Sequence, residues 1–241
     1  MALTSHLVDW LARNLSIYWQ VRVPPLLAMV DWRGVKSVLD VGCGRGLVAS
    51  YLASKQLFVV GVDFNSSSLT EANHRSQALG RRRVSWLAAS GTSLPLRSDS
   101  FDVVVCMDVL DDIPDDRGAL RELVRVLKPG GVCLITEILK DRRFHFHPIY
   151  FPEDVHEYSE EALLEIVNAS GLQVVERFYF YRSFSTLARE IEAVLVQIPL
   201  LIWRPLRLIW LAPLVLMAKL DFLDRGRGGG IGIMAKKPSL P

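Results

Sequence analysis

The chain has 241 residues, half of them hydrophobic, and a formal net charge of +2. That length allows one domain plus an elaboration. Its three cysteines, Cys43, Cys106 and Cys133, are dispersed without a C-x-x-C pair, which argues against a disulfide framework or a zinc centre and fits a reducing compartment. Charge is uneven: residues 1–181 carry 19 Lys/Arg against 22 Asp/Glu, and residues 182–241 carry 9 against 4. A basic, apolar tail on a mildly acidic body suits an anionic surface such as lipid headgroups. Nucleic acid is disfavoured, because the tail's aromatics sit among aliphatics and not among basic residues. The first 30 residues lack a basic start and a clean apolar run, so no signal peptide is expected and the expected location is the cytoplasm.

Residues 5–30 show helical spacing, with Leu7, Trp10, Leu11, Leu15, Tyr18 and Trp19 in phase and Pro24-Pro25 as the expected break. Strand-like apolar runs then fall at 35–41, 57–62, 83–87, 101–106, 131–137 and 172–181, with a last one at 230–235. Helical patterns fill the gaps at 46–55, 66–79, 116–127 and 160–169. The second of these carries Ser68 and Glu71 at capping-box spacing. The fourth opens after Ser159 with Glu160 and Glu161 and stops at Gly171. Continuous apolar strands separated by helices predict an α/β fold, with a doubly wound, mostly parallel sheet covered on both faces.

The sharpest local signal is VLDVGCGRG at 38–46. A buried strand runs into Gly42, Gly44 and Gly46, whose missing side chains allow a tight turn and close approach of a ligand. A dinucleotide fingerprint needs G-x-G-x-x-G, but position 47 is Leu. The first motif of the class I S-adenosylmethionine-dependent methyltransferases is written like this run. The resemblance continues in register over about 35–181, through VVGVDFN (59–65), LPLRSDSFDVVVC (94–106), LVRVLKPGG (123–131) and YSEEALLEIVNASGLQVVE (158–176). It implies a seven-stranded Rossmann-like sheet with S-adenosylmethionine as cofactor, and a likeness to the ubiquinone and menaquinone methyltransferases.

The same resemblance lays out a cofactor site. Asp63 would hold both ribose hydroxyls, its rival role being the N-cap of the next helix. Asp40, Gly42, Cys43, Gly44 and Gly46 would form the bend at the methionine end, with Asp40 orienting it. Ser90, where the family often has Asp, and Gly91 would line the adenine pocket with Phe64 against the ring, and Met107 would complete the set. Methyl transfer needs alignment and exclusion of water, and a base only if the acceptor must lose a proton. Candidate catalytic groups are Asp108, just beyond the fourth strand, and His145, His147 and Tyr150 in RRFHFHPIYFPEDVHEY (142–158), with His156 and Tyr158 nearby. Three His there make a poor case for a metal. Asp108, Asp111 and Asp112 stand where the ubiquinone O-methyltransferases carry a magnesium-binding Glu-x-x-Glu-His. With that His replaced, they are a weaker alternative and the expected metal content is none.

About 48 residues separate the sixth and seventh strands, where the family normally has a modest connection. The expected organisation is an N-terminal helical cap (1–34), the cofactor domain (35–181 with 230–241) and an apolar helical insertion (182–229). The insertion's longest uncharged runs, 193–203 and 208–218, fall short of a span, and Arg204, Arg207, Pro199, Pro205 and Pro213 interrupt it. Residues 184–198 form an apolar helical face. Three uses remain open: a lid over a lipophilic acceptor (quinone, isoprenoid, glycolipid or polyketide), peripheral membrane contact through 184–219, or a homodimer interface. The rival functional class is a cofactor-binding module without turnover, a regulatory partner of a membrane enzyme.

Overall fold

The computed structural model describes residues 2–140, 156–196 and 211–239. Seven strands form one sheet: β1 (Ser37–Val41), β2 (Phe58–Asp63), β3 (Val84–Ala88), β4 (Phe101–Met107), β5 (Leu127–Ile138), β6 (Gln173–Phe180) and β7 (Gly230–Lys236). Their order is β3-β2-β1-β4-β5-β7-β6. Neighbours from β3 to β5 are parallel, and β7 runs antiparallel to both β5 and β6. The chain therefore does return to the sheet after the long connection, and slots between the fifth and sixth strands.

The inner strands read as apolar runs because both faces are covered, while the edge strands β3 and β6 are largely half-buried or exposed. Along β1 and β4, Leu39, Val41, Val104 and Cys106 face one core, with Leu120 and Leu123 of α5 (Asp116–Val126) and Leu163 and Val167 of α6 (Glu160–Ala169). Val38, Val103 and Val105 face the other, with Val23 and Leu26 of α2 (Ile17–Ala28) and Leu52 of α3 (Leu47–Ala53). The period-two alternation thus splits each strand between two cores. A smaller third core joins Ile17, Phe180, Tyr181, Ala188 of α7 (Ser183–Val196), and Leu214, Val215 and Ala218 from the helix over 211–218, here α8.

Three boundaries differ from the sequence expectation. The N-terminal segment is two helices, α1 (Ala2–Asn14) and α2, divided at Leu15–Ser16 and not at the prolines. Ser16 is extended and its side chain accepts a bond from the Trp19 amide at 3.2 Å, which starts a new helix. Pro24 and Pro25 lie inside α2. Each forfeits a backbone N–H bond, but burial of Val23, Leu26 and Leu27 holds the last turn together. Next, α4 (Ser66–Ala78) is capped by Asn65, whose carbonyl oxygen accepts from the amides of Ser67 and Ser68 at 3.0 and 3.3 Å. An Asx side chain one residue before the helix outcompetes the Ser68/Glu71 capping box. Finally, β5 starts at Leu127, directly off the end of α5, four residues before the apolar run at 131.

Candidate functional site

β1, β2 and β4 are parallel and deliver their carboxyl ends to one edge of the sheet. There β1 breaks into the glycine bend. Gly42 has φ +68°, and a Cβ on it would lie 2.1 Å from Cγ2 of Val109. Gly46 has φ +67°, caps α3, and would strike the Trp86 ring at 2.2 Å. Gly44, at φ +49°, has nothing within 4 Å of its Cβ position and faces open space. Two of the glycines are therefore required by neighbours, and the third leaves room for a ligand.

Asp63 ends β2 across from this bend. Its Oδ2 accepts from the Gly44 amide at 2.7 Å and its Oδ1 from the Asn65 amide at 2.8 Å. The helix-capping alternative for Asp63 is overturned, since Asn65 caps α4. Each carboxylate oxygen keeps a further lone pair for an incoming hydroxyl. Asp40 is buried beneath, 3% exposed. Desolvation, opposed by a bond from the Ala49 amide and reinforced by the charge of Asp63, raises its pKa to about 7. Its Oδ2 has no hydrogen-bond partner among the described residues. Burial likewise pushes the Cys43 thiol up, so it stays neutral.

A cleft of about 500 Å³ opens beside Asp63. Val41, Gly42, Asp63 and Phe64 form one side, Ser90, Gly91 and Thr92 the next, and Asp112, Ile113 and Pro114 the far wall. Phe64 is 82% exposed, free to cover a flat ring entering the cleft. The Ser90 hydroxyl lies 2.8 Å from that of Thr92. Met107 is not brought to this cleft, since its side chain packs in the core with α2 and α3. Thr92, Ile113 and Pro114 were not anticipated. The available signal was the apolar Ile113 inside an acidic run, whose Cδ1 would meet a Cβ on Gly91 at 3.0 Å.

The candidate catalytic groups are dispersed. Asp108 sits in a left-handed turn, φ +54°. Its Oδ2 is ion-paired with Arg22, and its Oδ1 accepts from the Thr136 hydroxyl at 3.2 Å. Arg22, 3% exposed, is bracketed by the rings of Tyr18, Phe180 and Tyr181 at 4.5–4.6 Å. Burial and then the nearby Asp108 charge raise the Tyr18 phenol, while desolvation opposes the Arg22 cation and the Asp108 carboxylate outweighs it. An arginine within the apolar run VRVPPLL was the overlooked signal for this pair. His156 bonds through Nε2 to the carbonyls of Ile113 and Pro114 at 3.1 and 3.2 Å, bracing the cleft's far wall. Tyr158 donates to Asp116 at 2.6 Å. His145, His147 and Tyr150 lie outside the described residues, as do Arg204 and Arg207. Asp108 turns to Arg22, Asp111 is buried and Asp112 lines the cleft. Among the described residues no three His, Cys, Asp or Glu side chains gather as a metal site.

Comparison with known proteins adds a family to this geometry. A family described as "Methyltransferase domain" matches residues 39–135. The ubiquinone biosynthesis O-methyltransferase of Coxiella burnetii is 27% identical over 177 residues, spanning 68% of this chain and 74% of that protein. Among solved structures, an S-adenosylmethionine-dependent methyltransferase of Methanosarcina mazei superposes with a TM-score of 0.63 at 18% identity, covering 90% of this chain and 98% of that one. A Haemonchus contortus phosphoethanolamine N-methyltransferase bound to S-adenosylhomocysteine gives 0.66 at 23% identity, covering 90% and 53%. At these identities the two structures speak to the fold.

Proposed function

The chain belongs to the class I S-adenosylmethionine-dependent methyltransferases, and on that premise we propose that its acceptor is a small lipophilic molecule such as a quinone, isoprenoid, glycolipid or polyketide. The bound cofactor supplies an electrophilic methyl on a sulfonium. The residues at this edge of the sheet fit that group. The open space at Gly44 admits its methionine end, Asp63 keeps lone pairs for the ribose hydroxyls, and the cleft between Phe64 and Ser90–Thr92 accepts the adenine. Asp108, held by Arg22 and Thr136, stands at the end of β4 beside the bend, where it orients a polar atom of the acceptor. The relatives are methyltransferases, which favours turnover over a module that only binds.

The observation that carries the acceptor class is the segment 211–223. Leu211, Leu214, Val215 and Ala218 are buried, yet the outer positions Leu216, Leu220, Phe222 and Leu223 are also apolar and 38–71% exposed. An exposed group of large apolar side chains on a protein surface asks for an apolar partner. Its acid, Asp221, is turned inward onto the amides of Arg182, Phe184 and Ser185 at the start of α7, while Lys219 and Arg225 stay exposed. Such a surface suits contact with one leaflet from which an oily acceptor is drawn. Among the described residues no helix is long and apolar enough to cross a membrane.

The test supplies labelled S-adenosylmethionine with a total lipid extract and, in parallel, with a water-soluble metabolite extract. Label entering the lipid fraction supports the reading. Label confined to the water-soluble fraction contradicts the acceptor class, and no transfer to either contradicts turnover.

A further inference from the structure

Glu137 stands apart from the residues that line the cleft. It lies near the end of β5, fully buried at 0% exposure. Its Oε1 accepts from the amides of Val109 and Leu110 at 3.3 and 3.0 Å. These amides belong to the turn that leaves β4 at the left-handed Asp108. The preceding residue of β5 grips the same turn: Thr136 accepts from the Asp108 amide through its carbonyl at 2.8 Å and donates its hydroxyl to the Asp108 carboxylate.

The held turn leads into the far wall of the cleft, which begins at Asp112. Val109 fills the space above Gly42, 2.1 Å from where a Cβ would stand, and Ile113 covers Gly91. We propose that Glu137 is a positioning residue for the cofactor cleft: one oxygen fixes the Val109–Leu110 turn, and that turn in turn presses Val109 against the glycine bend and sets the Ile113–Pro114 wall. The inference rests on the reading of this cleft as the S-adenosylmethionine site.

Two observations favour positioning over plain core filling. An apolar side chain at this strand end would fill the space without desolvating a carboxyl, but would leave two buried amides without an acceptor. Burial, together with the charges of Asp111 and Asp108, raises the Glu137 pKa above the ordinary carboxylate range. Its Oε2 has no hydrogen-bond partner among the described residues. A glutamine therefore reproduces what the turn needs, and a leucine does not.

The experiment titrates S-adenosylhomocysteine into the full chain by calorimetry, for the parent, Glu137→Gln, Glu137→Leu and Leu163→Ala. The last removes buried volume from α6, away from the cleft, and controls for lost stability. The expected result is binding by the parent, affinity within about twofold in E137Q, a loss of at least about tenfold in E137L, and parental affinity in L163A. Parental affinity in E137L overturns the proposal, and so does an equal loss in E137Q and E137L. Should E137L fail to fold, Val109→Ala decides: weakened binding supports the chain of contacts, and unchanged binding breaks it. No uptake by the parent instead removes the cofactor reading itself, a distinguishable failure.

Discussion

Asp40→Asn should make the protein more stable and worse at binding its cofactor. Asp40 is buried and its carboxyl is raised from the usual 3.8 to about 7, first by desolvation and then by the charge of Asp63. A carboxyl whose folded pKa is raised contributes its full stability below about pH 3.8, where both states are protonated. That stability is lost as pH rises toward 7, because the unfolded chain ionises freely and the folded one does not. At about 1.4 kcal/mol per pH unit the loss approaches 4 kcal/mol by pH 8, as an order of magnitude. Asparagine carries no charge and escapes it. Urea unfolding from pH 4 to 9 should show the variant matching the parent at the acid end and gaining stability to a plateau above pH 7. The melting temperature at pH 8 should rise by on the order of 10 °C. Calorimetry with S-adenosylhomocysteine at pH 8 should show weaker binding, since the buried charge beneath the bend is gone. If the stability difference between the two proteins were flat across that pH range, Asp40 would not be the strained group, and the reasoning would fail.

Arg22→Met should cost about 3–5 kcal/mol in urea unfolding, because it leaves the Asp108 carboxylate without its buried partner, and the double variant R22M/D108N should recover most of that loss. Gly42→Ala combines a left-handed φ with a collision against Val109. It should destabilise by about 1–3 kcal/mol and abolish cofactor binding, while Val109→Ala in the same chain relieves the collision but not the backbone strain. Because burial raises the Glu137 carboxyl, the stability of the parent relative to E137Q should fall as pH rises above the ordinary carboxylate range, as followed by urea unfolding across pH. Parallel stability curves for these two proteins would contradict the raised Glu137 carboxyl.

The middle of the sheet was legible because its inner strands are buried on both faces, so VVGV and VVVC read as uninterrupted apolar runs. The left-handed bend was legible because glycine spacing reports backbone geometry directly. Other features depend on partners distant in sequence, and local pattern carries no trace of them. Pro24 and Pro25 look like a break, yet contacts of Leu26 and Leu27 with the core hold the helix through them. Arg22 and Asp108 are 86 residues apart, and the packing of α2 on the face of the sheet brings them together. Glu137 in LITEI reads as an ordinary polar step in a strand, and its amide partners 27 and 28 residues earlier give it meaning. Asn65 was missed for a different reason: the serines that follow are also N-cap residue types, and only the extended backbone at Asn65, with its side chain on the Ser67 and Ser68 amides, decides among them.

Calorimetric titration of the pure protein with S-adenosylmethionine, beside Asp63→Ala, tests the account most directly. The carboxylate at the end of β2 is assigned two hydrogen bonds from a sugar, so the parent should bind and the variant should lose at least about 100-fold in affinity. Absence of binding by the parent, or equal binding by both proteins, would contradict the assignment of this edge of the sheet.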